Sequence, residues 1–250
     1  MQGGSCRAVT GRPRYFGTNL KMHQTAGETT RFVAELALQP AGGVQRFVIP
    51  PFTSLAAAID LAHAADIWIG AQNLHAAPDG EYTGEISGRM LRALNVDLAL
   101  VGHAERRRMF GEDDAIVRGK VEAALANDLR VLLCVGESAD ERRCGAAVET
   151  VLRQVRLALN GVADRSRVMV AYEPVWAIGA RAQPAEPRDV GTVTAALGEW
   201  LEATPLLYGG SVNAATAAGY ALLPGIDGLF VGRAAWTPDG FTRVLAAAAL

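Results

Sequence analysis

The chain has 250 residues, half of them hydrophobic and a fifth charged, with a formal net charge of −2. That is ample apolar material for a packed core and excludes wholesale disorder. A near-neutral balance, with a pI of about 6.1, argues against nucleic acid or an anionic membrane as a bulk partner. Short β-type runs then recur along the chain at Tyr15–Leu20, Gln45–Ile49, Asp66–Gly70, Val96–Val101, Arg130–Val135, Arg167–Tyr172, Pro205–Tyr208 and Ile226–Val231. They are apolar through most of their length instead of alternating, as strands buried on both faces of a parallel sheet are. Between them lie Ala-, Leu- and charge-rich segments with helical spacing, clearest at Ala26–Leu38, Asp114–Asn127, Ala139–Asn160 and Val190–Ala203, and the Ala-rich end reads as a last helix. Eight strands alternating with helices over this length is the arithmetic of one α/β domain, a (β/α)8 barrel. No GxGxxG follows the first strand, as a doubly wound dinucleotide fold would need. The domain is expected to span residues 1–250, with 1–14 as a loose extension.

No stretch approaches the roughly 18 uninterrupted apolar residues that span a bilayer. The basic residues of Met1–Arg14 are not followed by the apolar run of a signal peptide. Cys6, Cys134 and Cys144 show no CxxC spacing and indicate neither a disulfide framework nor a zinc ribbon. The expected location is the cytoplasm. Of the 24 basic residues all but Lys21 and Lys120 are arginine, so a lysine kept in a polar turn marks a place for a compact ammonium.

In a barrel of this kind the residues just after each strand share one face, where chemistry belongs. Polar residues concentrate there: Asn19 and Lys21, Gln72 and Asn73, His103 and Glu105, Glu137, Glu173, Gly209–Ser211, and Gly232–Arg233. Glu173 is followed by Pro174, which stiffens the chain, and by Val175–Trp176, whose bulk can exclude water; such a carboxylate suits a general base. His103 enters a helix, whose positive end favours a neutral ring that donates a hydrogen bond. Lys21 points into the same mouth and can hold an anion or a developing oxyanion. The glycine-rich turns at 208–212 and 230–236 let backbone N–H groups approach a phosphate, and Gly179 can add another. His23, His63 and His75 read as packing histidines, and no spacing resembles a metal site.

At these residues the chain resembles the triosephosphate isomerase family. The resemblance runs from the first strand to the eighth through NLKM (19–22), GAQN (70–73), YTGEIS (82–87), GHAERR (102–107), CVGE (134–137), AYEPVWAIG (171–179) and YGGSV (208–212). It implies an isomerase that interconverts dihydroxyacetone phosphate and glyceraldehyde 3-phosphate through an enediolate, a reaction of glycolysis and gluconeogenesis. The implied base is Glu173 and the electrophile His103, a pairing for which this family is a standing example. Lys21 holds substrate, Asn19 lines the pocket, and Glu105 stands behind Lys21 and His103. Gly179, Ser211, Gly232 and Arg233 offer N–H groups to the phosphate. No cofactor or metal is implied. The partners implied are a small sugar phosphate and a second copy of the chain, with Thr83 and Glu85 reaching the neighbouring subunit and Arg106 pairing with Glu85 across the interface.

Several residues depart from the family pattern. Leu20 replaces an aromatic, Ala104 a serine, and Arg233 a glycine; the 179–184 stretch reads GARAQP. Pro184 replaces an alanine whose N–H usually bonds the tyrosine matching Tyr208, so that latch must shift or vanish. These changes, with RFVIPPFT (46–53), GAQNLH (70–75) and IDGLFVGRAAW (226–236), resemble the tetrulose-phosphate isomerase branch, which moves a carbonyl along a four-carbon sugar phosphate by the same chemistry. The sequence leaves triose and tetrulose phosphate open. A barrel that binds a phosphorylated metabolite without turnover is a third reading.

Overall fold

The computed structural model describes residues 14–178 and 184–250. Eight parallel strands close into a barrel in sequence order: β1 (Arg14–Asn19), β2 (Val44–Ile49), β3 (Ile67–Ala71), β4 (Leu98–Val101), β5 (Arg130–Val135), β6 (Val168–Tyr172), β7 (Leu206–Tyr208) and β8 (Gly228–Val231). Helices α1 (Ala26–Ala37) and α2 (Leu55–Ala64) follow β1 and β2, and α3 (Gly88–Ala93) follows β3. After β4 come α4 (Ala104–Phe110) and α5 (Asp114–Ala126), and after β5 come α6 (Ala139–Arg143) and α7 (Ala147–Ala158). The last three, α8 (Pro187–Leu201), α9 (Ala217–Ala221) and α10 (Pro238–Ala248), follow β6, β7 and β8. The (β/α)8 barrel expected from the apolar runs is the fold observed.

Both faces of the strands are buried, which is why the runs do not alternate. Along β2, Phe47 and Ile49 belong to an inner cluster with Leu98, Leu132, Met169 and Phe230, while Val44 and Val48 pack outward under the helices. Gly17 of β1 lies opposite Phe47, and any Cβ there would overlap the Phe47 ring. The absent side chain makes room for the Phe47 ring.

Most element ends shift by one to three residues from the sequence reading, and two differences matter to the architecture. Arg14 opens β1, and its guanidinium donates to the Ile226 carbonyl at 2.8 Å, so it belongs to the barrel and not to the expected extension; residues 1–13 lie outside the described residues. The single helix expected over Ala139–Asn160 is two, because Gly145 takes φ +75° and ends α6 as a left-handed residue does. Ser138 and Glu141 form a capping box at the start of α6, as Thr25 and Glu28 do for α1.

Arg46, only 3 % exposed, ties two helix ends to β2. Its guanidinium donates to Leu36 O (2.8 Å), Gln39 O (2.9 Å) and Ala65 O (3.1 Å), carbonyls at the C-terminal ends of α1 and α2. Arg46→Leu removes a donor from each of the three, leaving Leu36 O its bond from the Gln39 N–H at 3.0 Å. It is expected to destabilise the fold by about 3 kcal/mol, read as a lower urea midpoint at unchanged slope.

Candidate active site

Continuing the inward register of the strands past their C-terminal ends places the functional side chains. Lys21 follows Asn19, Glu173 follows Ala171, Gly209 follows Leu207 and Gly232 follows Phe230, two residues apart in each case. All of these residues except Ala171 and Leu207 line one cavity of about 390 Å³, with His103, Ser211, Arg233 and Trp236. Gly209 is needed at its position, since a Cβ there would stand 2.7 Å from Glu173 Cγ.

Glu173 is 4 % exposed. Its Oε2 has no hydrogen-bond partner among the described residues and lies 3.6 Å from His103 Nε2. His103 caps α4, and its Nδ1 accepts the Glu105 backbone N–H at 3.2 Å. An Nδ1 that accepts leaves the proton of the neutral ring on Nε2, the nitrogen beside Glu173. Lys21 holds a left-handed backbone, φ +50°, with its N–H bonded to Asn19 Oδ1 at 2.9 Å and its carbonyl accepting from Gln72 at 2.7 Å. Its ammonium meets Glu105 Oε1 at 2.6 Å. Burial pushes the Glu105 carboxyl up, but the Lys21 hydrogen bond and the charges of His103, Lys21 and Arg108 outweigh it and hold the group below the usual carboxylate range.

Behind the mouth, Glu137 is fully buried. It accepts from Trp176 Nε1 at 2.7 Å and from the Tyr172 hydroxyl at 3.2 Å. Burial, then the nearby Glu137 charge, raises the Tyr172 phenol. Burial and then the Glu173 charge push the Cys134 thiol well up, so it stays protonated and packs; Cys144 is exposed. Among the described residues no group of three or more His, Cys, Asp or Glu side chains is placed to hold a metal ion, and no helix is long and apolar enough to cross a membrane.

The model of the family described as triosephosphate isomerase matches residues 14–248. The chain belongs to the triosephosphate isomerase family. It is 40% identical over 243 residues to an L-erythrulose-1-phosphate isomerase of Brucella abortus (strain 9-941), covering 93% of this chain and 95% of that one. It is 41% identical over 243 residues to an L-erythrulose-1-phosphate isomerase of Rhizobium etli, covering 93% and 91%. A triosephosphate isomerase of Synechococcus sp. (strain JA-2-3B'a(2-13)) is 41% identical over 245 residues, covering 94% and 96%. The chain is therefore a sugar-phosphate isomerase of the triosephosphate isomerase family.

Of the residues singled out from the sequence, Asn19, Lys21, His103, Glu173, Ser211, Gly232 and Arg233 line the cavity, and Glu105 braces Lys21 and His103 from outside it. Gly179 and Arg181 lie outside the described residues. Ser211 donates its hydroxyl to Ala177 O at 2.6 Å. The Tyr208 hydroxyl is buried with no hydrogen bond of normal geometry among the described residues. Thr83 and Glu85 are exposed; within the chain Arg106 pairs with Glu112 at 2.5 Å and lies over the Phe110 ring.

Sequence reasoning did not place Trp236, Ile178 or Phe230 at the cavity, and marked Pro184 only for its missing N–H; all four line it. Apolar and proline residues carry no chemical signal of their own. Trp236 Nε1 donates to Asn19 O at 2.8 Å, and its ring packs on His23 at 4.1 Å, so it joins the turns after β8 and β1. The second lysine, Lys120, is buried against Glu112 (2.5 Å) and Asn73 Oδ1 (2.7 Å); the scarcity of lysine was the signal that could have marked it. In this isomerase, two-bond proton–nitrogen correlation spectra of the His103 ring are expected to show the Nε2–H tautomer wherever the ring is neutral. An Nδ1–H pattern would remove the donor from the Glu173 side.

Proposed function

We propose that the substrate is a four-carbon ketose phosphate, L-erythrulose 1-phosphate, and that Glu173 and His103 move its carbonyl from C2 to C3. The observation that carries the catalytic roles is the buried, unpartnered Glu173 Oε2 at 3.6 Å from His103 Nε2. Glu137 Oε2 is also without a partner, but of the two only Glu173 lines the cavity, where its oxygen can meet a proton on carbon. Glu173 takes the proton from C3, and the electron pair forms the C2=C3 enediolate as the C2 carbonyl oxygen gains charge. His103 Nε2–H donates to that oxygen and takes up the proton of the C3 hydroxyl. Return of the proton from Glu173 to C2 leaves the carbonyl at C3. The Lys21 ammonium, already oriented by Glu105, stabilises the oxyanion, and Asn19 fixes the turn that carries it.

The phosphate lies at the other end, held by backbone N–H groups of Ser211, Gly232, Arg233 and Gly179. The hydroxyl of Ser211 is engaged elsewhere, which leaves its N–H for the ligand. The Arg233 guanidinium lines the cavity and has no carboxylate partner among the described residues, so it adds a full charge beside the phosphate. The same steps convert dihydroxyacetone phosphate, in which a hydrogen stands where the tetrulose has its hydroxymethyl group. The relatives of Brucella and Rhizobium support the four-carbon reading, and the Synechococcus relative supports the triose reading.

The working unit we propose is one domain that pairs as a homodimer. Met22, Tyr82, Met90, Met109 and Phe110 are exposed by between 49 % and 94 % on the turns after β1 and β3 and on α3 and α4. Apolar exposure on this scale points to a partner surface, and Thr83 and Glu85 stand beside it in sequence.

The purified protein is expected to turn over L-erythrulose 1-phosphate with a kcat/KM at least about tenfold above that for dihydroxyacetone phosphate. The opposite ranking would assign the triose substrate; turnover of neither would support the binding-only reading. Glu173→Gln should lower kcat roughly a thousandfold while leaving inorganic phosphate binding intact, and a fully active variant removes Glu173 as the base. Arg233→Gly should raise KM about tenfold and flatten its dependence on ionic strength. Light scattering should give twice the chain mass, and Phe110→Asp should shift it toward the monomer.

A further inference from the structure

Trp176, after β6, and Ala185, before α8, are tied to one aromatic column. Trp176 bonds Glu137, which accepts from Tyr172; the Tyr172 ring meets Tyr208 edge-on at 6.1 Å, and Tyr208 stacks on Tyr220 at 4.2 Å with 19° between their planes. The Tyr220 hydroxyl then donates to the backbone carbonyl of Ala185. Tyr220 and Ala185 are 1 % and 2 % exposed, so this bond is shielded from water. Ala185 stands between Pro184, which lines the cavity, and Glu186, the cap of α8. Proline has no N–H to offer, so the backbone group available to a tyrosine at this point is a carbonyl. Tyr220 supplies the matching donor. The Tyr208 hydroxyl lies beside that of Tyr220 without a bond to the 184–185 backbone, and Gly210 is needed to leave it space.

We infer that Tyr220 is a positioning residue for substrate binding: its hydrogen bond to Ala185 holds Pro184 as a wall of the cavity. Tyr220 does not line the cavity, so its effect on substrate passes through the residue it holds, Pro184. A wall that contacts bound substrate and transition state alike contributes to KM and not to kcat. The inference rests on the cavity being the substrate site and not on which sugar phosphate fills it.

The test is Tyr220→Phe, which keeps the ring stack and removes the donor, assayed with whichever of L-erythrulose 1-phosphate and dihydroxyacetone phosphate the wild type turns over faster. KM is expected to rise about three- to tenfold with kcat within about twofold. Tyr208→Phe should leave both within about twofold. Pro184→Ala should raise KM by itself, and the double variant Tyr220→Phe/Pro184→Ala should show less than the product of the two effects, because both act on one wall. An unchanged KM in Tyr220→Phe with a lowered Tm would make the bond purely structural and overturn the inference; so would a larger KM effect from Tyr208→Phe, or effects of Tyr220 and Pro184 that multiply. Should Tyr220→Phe not fold, an unchanged KM in Pro184→Ala overturns it alone. Loss of activity in Glu173→Gln alongside an unchanged KM in Tyr220→Phe would separate failure of this inference from failure of the proposed catalytic site.

Discussion

The inward register of the closed barrel fixes the position of nearly every chemical group in the cavity. A strand alternates its side chains between barrel axis and helix layer, so a residue two beyond an inward residue also faces inward until a turn intervenes. Phe47, Met169 and Phe230 fill the axis, and the next steps in their strands or neighbouring strands reach the mouth as Lys21, Glu173 and Gly232. A one-residue slip in β6 would exchange Glu173 for Tyr172 at the mouth and bury the carboxylate under α7 and α8. The apolar filling of the barrel and the placement of the base are therefore one constraint. Gly17 and Gly209 serve it at opposite levels, the first by admitting the Phe47 ring, the second by letting Glu173 pass.

Charge is distributed unevenly over this frame. Away from the cavity buried charges find partners, Arg46 in three backbone carbonyls at the ends of α1 and α2, Lys120 and Arg106 in Glu112, though Glu112 Oε2 and Glu137 Oε2 have none among the described residues. An isolated buried charge would be costly, and pairing is the usual remedy. At the mouth the matching is incomplete. Among the described residues, Lys21 is oriented by Glu105 but keeps further donors on its ammonium unpaired, Glu173 Oε2 has no partner, and Arg233 has no carboxylate partner. Incomplete satisfaction here is stability given up for binding, and the surrounding framework holds it in place. The left-handed Lys21 backbone belongs to the same exchange, since Asn19 and Gln72 each contribute a hydrogen bond to hold it.

Much of this was legible in the residue order. Strands buried on both faces announce themselves as unbroken apolar runs, and polar residues directly after them stand out against that background; that contrast located Asn19, Lys21, His103 and Glu173. Helix breaks were less visible, because Gly145 within Ala139–Asn160 acts through its positive φ and not through composition. Walls of the cavity were invisible for a different reason. Trp236, Phe230 and Pro184 look like ordinary core or loop residues, and only the three-dimensional joining of the turns after β8, β1 and β6 brings them to the substrate side. Tyr220 is further removed still, since its role depends on a backbone carbonyl thirty-five positions away.

This division bears on how the family separates its substrates. In the proposed reaction Glu173, His103 and Lys21 act on the atoms that triose and tetrulose phosphates share, so they have no reason to differ between the two. A single hydroxymethyl group is worth only about 1–3 kcal/mol of discrimination in a pocket that merely makes room for it. Larger discrimination requires walls that fit one shape and leave groups unpaired around the other. In this chain the walls come from Pro184, Phe230, Arg233 and Trp236, carried by turns that the barrel constrains least, while Asn19, Glu173 and His103 are held by strand ends and a helix cap. Substrate choice can therefore drift in the turns without disturbing proton transfer, and relatives of both substrate classes at the same identity to this chain are what such drift leaves behind.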